Sequence, residues 1–489
     1  MLNASSLTLQ RPSSVADMVI VSDTSTSIRD ICLWFARQEL EFTHLVLPYA
    51  PSTKAEELLV NLLQNRGLTI SFDKQGIFDA NCIVIYNIVA FDHLNLDVLI
   101  TEMNSTPHTV HFRSQNGELL ATCHQSTSIH EVDLEHFIFP QVSKMSISTI
   151  SNHTFTDVPS TILIAGHDLK FAMPIVEVMK EMGIRVLTDK WDNHNKFDAE
   201  KSRELLAQAD AVWCEWALGN VEWYSEVVDI ETPLFVRYHL QERELEYLNS
   251  ANQENITHVS FVCDYYRKHS YNIGQLSQSV PSSVIPNLLE RKDINKKKND
   301  NFSIGFVGMV PKRKRLDLAL DLLEILQKKD PRYQLKIVGK HPDEYAWLQK
   351  REDEKQYYDS IKTRLRQNPI LASKIEFLGF VDDISEFYSS VGHVISTSDF
   401  ESFHLTLADG PSLGCAAHTL KWDGSETIYN DLWLNNDIEL MAKRIHELNL
   451  SNQTSYRAHQ QLVHLYSQMQ TERIALSIIE AISGGGSNA

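Results

Sequence analysis

The feature that most restricts this chain is an alternation of short β-branched runs with helical stretches that breaks off and then starts again. One series opens with TILIAGHD at 161–168. It continues through a helical pattern at 175–182, RVLTD at 185–189, a helix from Asp198, DAVWCEW at 210–216 and PLFVRYH at 233–239. SFVC at 260–263 and the tripeptide Ile285-Pro286-Asn287 close it. The segment RKDINKKKND, 291–300, is a charged linker whose basic run reads as solvated. The pattern then restarts with FSIGFVG (302–308), LKIVG (335–339), KIEFLGF (374–380) and HVIST (393–397). Strands alternating with helices specify parallel sheets covered on both faces. Two such units predict an α/β fold of two Rossmann-like lobes facing a cleft, with ligands beyond the carboxyl ends of the strands.

An additional α/β domain precedes the two lobes. MVIVS (18–22), HLVL (44–47), LTISF (68–72) and CIVIY (82–86) read as strands, with helices from Ser27 and over 53–67. Leu58, Leu59, Leu62 and Leu63 share one face of the second helix, and Gly67 is its stop signal. No phosphate loop or paired catalytic set occurs here, so 1–150 reads as an accessory domain, a place for contact between copies. A Ser/Thr-rich linker at 146–160 leads into a lobe at 151–290, and a second lobe occupies 291–489. That last part ends in a helical period at 456–482 through Leu462, Leu465, Met469, Leu476 and Ile479, then a flexible GGGSNA tail.

Composition narrows the partners. With 45 Lys and Arg against 64 Asp and Glu among 489 residues, the net charge is −19, which argues against nucleic acid and against an anionic membrane held by net charge. Membrane contact is expected only peripherally. The N-terminus lacks a basic start followed by an apolar core, and the most apolar run, 82–91, is too short for a bilayer, which needs about 20 residues. Cys32, Cys82, Cys123, Cys214, Cys263 and Cys415 are scattered singly and read as thiols of a reducing, cytoplasmic compartment.

Two segments carry candidate chemistry. In GMVPKRKRLDLALDLLEIL (308–326) a strand ends at Gly308, and Lys312, Arg313, Lys314 and Arg315 precede a helix with an apolar face. Four cations at a helix N-terminus meet about half a positive charge already there, and a bound anion would relieve the conflict. Side chains pointing into water are the alternative. In the segment from Ser396, Glu401 and Asp409 lie eight apart. With Glu401 in a loop and Asp409 in the following helix, both carboxylates can accept hydrogen bonds from one polyhydroxyl ligand. A solvated acid pair is the alternative.

Taken together, these segments resemble the donor lobe of retaining GT-B glycosyltransferases of the family-4, or group 1, kind, over roughly residues 161–448. Ile285-Pro286-Asn287 matches the IPN at that family's hinge. Residues 304–317 resemble its glycine-then-basic phosphate loop, and 374–403 the elements before its acidic motif. Glu401 and Asp409 occupy the E-x7-E positions, with Asp in place of the second Glu. Gly410, Gly414 and Gly424 fall where small residues lie near the donor.

The resemblance implies transfer of a sugar from a nucleotide-sugar to an acceptor hydroxyl of a glycan or glycoconjugate, with retention and no metal. Lys314 would bind the diphosphate, helped by Gly308, Lys312, Arg313 and Arg315. Asp409 would take the ribose, and Glu401, Ser402, Phe403 and His404 would meet the donor sugar. His239 resembles the cleft histidine near the reacting sugar. Gly166, His167 and Asp168 lie on the acceptor side, although Asp168 alone reads equally as a helix cap. Two departures stand out: Met309 replaces the Arg usual after the loop glycine, and His404 replaces a common glycine. The Trp-rich run 213–224 is packing or an acceptor platform. The rivals are a nucleotide-sugar epimerase on the same fold and a non-catalytic partner subunit.

Overall fold

The computed structural model describes residues 18–21, 28–36, 44–47, 50–71, 82–85, 110–113, 119–123, 158–289 and 300–484. The linker segments 146–157 and 291–299 and the tail 485–489 lie outside them. In the N-terminal part, β1 (Met18–Val21), β2 (His44–Val46), β3 (Thr69–Ser71) and β4 (Cys82–Ile85) form a parallel sheet in the order β3-β2-β1-β4. An antiparallel pair, β5 (Val110–Arg113) and β6 (Leu119–Cys123), follows. The helices are α1 (Ile28–Ala36) and α2 (Lys54–Asn65). Thr53 and Glu56 close a capping box on α2, which buries Leu58, Leu59, Leu62 and Leu63. Gly67 ends it at φ 94°, a conformation that glycine adopts without steric cost.

The first lobe is built on β7 (Thr161–Gly166), β8 (Arg185–Lys190), β9 (Ala211–Glu215), β10 (Leu234–Tyr238), β11 (His258–Phe261) and β12 (Ser282–Val284). All pairings are parallel, in the order β12-β11-β10-β9-β7-β8. Every residue of β7, β9, β10 and β11 is buried. Covered on both faces, these strands are mainly apolar instead of alternating, with Glu215 and Arg237 as buried charges within them. The helices α3 (Met173–Glu181), α4 (Ala199–Leu206), α5 (Gly219–Val227) and α6 (Asp264–Asn272) belong to this lobe.

The second lobe repeats the plan with β13 (Ser303–Val307), β14 (Gln334–Val338), β15 (Ile375–Gly379), β16 (His393–Ser396), β17 (Ala416–Leu420) and β18 (Leu434–Asn435), ordered β15-β14-β13-β16-β17-β18. Its helices include α7 (Leu316–Lys329), α8 (Glu352–Gln367), α9 (Thr406–Ser412) and α10 (Ile438–Leu450). In each sheet the strand order reverses beside the first strand, between β7 and β9 and between β13 and β16. Such reversals open a crevice at the carboxyl ends of the strands. The fold is the expected GT-B plan of two Rossmann-like lobes.

The helical period at 456–482 resolves into two helices, α11 (Thr454–Met469) and α12 (Thr471–Ile482). They are broken at Gln470, which is extended at ψ 131° and donates from Nε2 to the Leu33 carbonyl at 2.7 Å. α11 packs on β17 and α9 of the second lobe, whereas α12 crosses back to α3 and α1. There Ile474, Leu476, Ile478, Ile479 and Ile482 are buried with the first-lobe core. Arg29 pairs with Glu480 at 2.7 Å and Arg66 with Glu472 at 2.9 Å. The outgoing connection touches the returning one, with Leu289 N donating to the Met469 carbonyl at 2.8 Å. One apolar cluster joins the lobes through Tyr238, Phe261 and Tyr266 on one side and Phe403, Trp422 and Tyr429 on the other. Among the described residues, no helix is long and apolar enough to cross a membrane.

Candidate active site

The second-lobe reversal gathers most of the candidate residues. The chain leaves β13 at Gly308, whose φ of 75° turns it away from the sheet. Met309 then points into the core, 2 % exposed, and its carbonyl accepts from Tyr358 OH at 2.7 Å. A methionine therefore replaces the arginine usual there by packing inward, and the loop's charge comes from 312–315. Thr397 Oγ1 donates to the Lys314 and Arg315 carbonyls at 3.0 and 2.8 Å, and Asp399 N donates to the Arg313 carbonyl at 2.8 Å. These bonds lock the basic loop to the segment after β16.

The four cations separate into two pairs. Lys312 and Arg315 turn outward, Lys312 to Asp353 at 2.5 Å and Arg315 to Asp317 and Asp399 at 2.8 and 2.9 Å. Lys314 and Arg313 converge on one oxygen of Glu401, at 2.5 and 3.0 Å. The sequence argument that this loop needs an outside anion is thus met, in this structure, by the protein's own carboxylates. Of these four, Lys314 and Arg313 are the two beside Glu401.

Glu401 is itself buried. Burial alone would raise its carboxyl, but His404, Lys314, Arg313 and the Lys314 hydrogen bond outweigh that and bring it down to about 2. His404 sits 3.8 Å from the same oxygen, and burial together with Lys314 pulls its imidazole down to about 3. Near neutral pH the ring is therefore uncharged, and the two cations hold the carboxylate. Burial, with the Arg313 charge, also lowers Lys314, against the pull of Glu401. His404 has φ 56°, the left-handed region that glycine takes at little cost.

Asp409 lies in α9, half-buried, where its charge reaches Tyr388 and Tyr429. Tyr429 is pushed up by burial first and then by the charges of Asp409 and Glu401. Tyr429 OH donates to the Phe403 carbonyl at 2.7 Å and Trp433 Nε1 to the Leu407 carbonyl at 3.0 Å, fixing the intervening turn. The Phe403 ring is core, and Ser402 is half-buried beside it. Gly410 packs on Val394 of β16, so its smallness serves strand–helix contact. Gly424, at φ 89°, lies against the Tyr265 side chain of the first lobe.

Across the cleft, Gly166 ends β7, and a Cβ there would stand 2.7 Å from the Glu215 carbonyl, so its smallness also serves the fold. The His167 and His194 rings are 4.7 Å apart. Asp168 pairs with Lys170 at 2.9 Å, and its carbonyl accepts from Trp216 Nε1 at 2.8 Å. His239 is 3 % exposed, with Nε2 3.0 Å from Glu215 Oε1 and its ring against Trp216 and Phe171 at 4.1 and 5.7 Å. Its backbone N–H donates to Glu242 at 3.0 Å. In the same turn, Arg243 lies 4.8 Å from the Phe400 ring centroid, which Arg313 approaches at 5.0 Å from the other lobe. Tyr266 OH donates to the Glu401 carbonyl at 3.4 Å. The turn after His239 thus abuts the residues that precede and carry Glu401. Residues 301–450 match the family described as glycosyl transferases group 1.

That match runs from just before β13 to the end of α10 and includes Lys312, Arg313, Lys314, Arg315, Glu401 and Asp409. Curated proteins give no significant match to the chain. Among solved structures, Anabaena HepE in complex with UDP is similar at 15% identity and a TM-score of 0.49, over 66% of this chain and 99% of its own. A glycosyltransferase from Rickettsia africae is similar at 15% identity and 0.49, over 66% and 98%. Sucrose-phosphate synthase from Thermosynechococcus elongatus is similar at 13% identity and 0.48, over 65% and 97%. Glu215, Arg237 and Glu242, which surround His239, were not among the candidates read from sequence. For Glu215 and Arg237 the signal was a charged residue inside an otherwise apolar strand, as in DAVWCEW and PLFVRYH.

Proposed function

We propose that this chain is a glycosyltransferase that moves a sugar from a nucleotide-sugar to an acceptor hydroxyl, with retention of configuration. The observation that carries the reading is the convergence of Lys314 and Arg313 on one oxygen of Glu401, at the strand-order reversal of the lobe that matches the group 1 family. A donor diphosphate seats on Lys314 and Arg313 and takes over part of the charge now met by Glu401. Asp409 accepts from the ribose hydroxyls, and Glu401, Ser402 and His404 face the sugar. His239 meets that sugar from the opposite lobe, and the acceptor enters beside Gly166, His167 and Asp168.

The bond from the sugar's anomeric carbon to the diphosphate oxygen breaks, and a bond to the acceptor oxygen forms on the same face. The acceptor's proton passes to the departing phosphate. Charge developing on that phosphate is what Lys314 and Arg313 stabilise, the kind of preorganised electrostatics that dominates many rate enhancements. These cations and the α7 N-terminus supply the neutralisation without a metal. The acceptor is a carbohydrate or glycoconjugate.

A thermal-shift panel of UDP, GDP, ADP and CMP, then their sugars, tests the reading. A ligand at 100 times its dissociation constant stabilises by about 2.7 kcal/mol. Lys314→Ala abolishes that shift and the turnover. Donor consumed equally fast without acceptor would identify an epimerase, and a protein blind to every nucleotide would be a non-catalytic subunit.

A further inference from the structure

A cluster of ionisable side chains is sealed beneath the first-lobe half of the cleft, and the reaction proposed above uses only its outermost member, His239. Glu215, at the end of β9, and Arg237, in β10, are both fully buried. Glu215 Oε1 faces His239 Nε2 at 3.0 Å, and Oε2 accepts from Trp213 Nε1 at 3.1 Å. A carboxylate can only accept, so Nε2 carries the hydrogen, and Nδ1 is the ring nitrogen left for a ligand. Trp216 and Phe171 flank the ring, and the Glu242 carboxylate holds its backbone N–H. Neither swivel nor flip is open to this imidazole.

Arg237 lies behind the pair. Its Nη1 stands 3.6 Å from Glu215 Oε1, beyond hydrogen-bond length but within strong attraction at low dielectric. Nη2 donates to the Pro286 carbonyl and to Asn287 Oδ1, both at 3.0 Å, on the connection between the lobes. Among the described residues, Arg237 Nε and Nη1 and Glu242 Oε2 have no hydrogen-bond partner. Buried charges so incompletely satisfied are a poor way to stabilise a core, because apolar side chains of equal volume usually do as well or better. Their retention directly behind His239 is accounted for by what they do to that ring.

We propose that Glu215 is the positioning residue of His239, fixing its ring and tautomer, and that Arg237, anchored on Pro286 and Asn287, supplies the countercharge that keeps Glu215 in place. The role rests on the reading that His239 meets the donor sugar. Binding of the nucleotide itself, by contrast, belongs to Lys314, Arg313 and Asp409 of the second lobe and shares no residue with this cluster, so the two are separable by experiment.

The test uses the full chain and a nucleotide-sugar that the wild type turns over, and compares Glu215→Gln, His239→Ala and the double variant. Glu215→Gln is expected to lower kcat at least about tenfold while donor KM and nucleotide binding stay within about twofold. In the His239→Ala background it is expected to add nothing, since both changes remove one interaction. Arg237→Met, which keeps the stem's volume, is expected to show the same non-additivity and supplies the cycle if the Gln variant fails to fold. An active wild type with an indifferent Glu215→Gln, or losses that multiply in the double variant, overturns this role alone. A wild type that turns over no nucleotide-sugar overturns the transferase reading, and this role falls with it.

Discussion

Lys314 Nζ lies 2.5 Å from Glu401 Oε1, so the cation expected to meet a diphosphate is already engaged by a carboxylate 87 residues further along the chain. Any entering anion competes with Glu401 for Lys314 and Arg313. Glu401→Ala removes the competitor and leaves two cations facing a partly dry pocket. The ligand-free protein is expected to lose about 3 kcal/mol, the lower end for breaking a buried pair. UDP, or the nucleotide that binds best, is expected to bind about tenfold tighter, even as turnover is lost. Calorimetric titration of both proteins decides it, and unchanged affinity would show that Glu401 does not share the diphosphate's cations.

Acid is expected to weaken the second lobe in two stages. His393 Nδ1 faces His418 Nε2 at 3.1 Å and its Nε2 faces Asn449 Oδ1 at 2.8 Å, and burial brings His393 down to about 4. The unfolded chain protonates it near 6.5, so its contribution is complete above about pH 6.5 and is lost as pH falls to about 4. That interval is worth roughly 3 kcal/mol. Glu401, depressed to about 2, adds a lower window between about 4.5 and 2. Urea midpoints measured from pH 7 to 4.5 should fall for the wild type and fall less for His393→Gln.

Gly424 serves the contact between lobes. Its φ of 89° and its seat against Tyr265 leave no room for a methyl group. Gly424→Ala is expected to cost about 2–4 kcal/mol, combining left-handed strain with overpacking. Tyr265→Ala in the same protein should restore the packing share, as read from denaturant midpoints. A Gly424→Ala protein as stable as wild type would mean that the lobes do not meet there in solution.

Helix α12 belongs energetically to the first lobe. Ile479 is 1 % exposed among first-lobe residues, and Ile479→Ala is expected to cost about 2–5 kcal/mol. Limited proteolysis should then show cleavage rising in 158–289 before 300–450. The reverse order would place α12 with the second lobe.

Most strands were legible because a parallel strand buried on both faces is a short apolar run, as β7 is throughout and β10 is but for Arg237. β17 was not, because Ala416-Ala417-His418 lacks β-branched residues. The split between α11 and α12 was hidden because the apolar period continues through Gln470, which carries neither a proline nor a glycine signal. In the site, the basic loop and the acids at 401 and 409 were recognisable by type and order. Lys314 was singled out there, but the pairing of its neighbours was not, because Asp353 and Asp399, 41 and 84 residues away from their partners, reach Lys312 and Arg315 only on folding.

The bond from Leu289 to Met469 joins the outward and homeward passages of the backbone. Two halves that share this crossing can turn about it while the bond stays whole, whereas sliding lengthwise would break it. Opening of the cleft is then more a matter of angle than of translation.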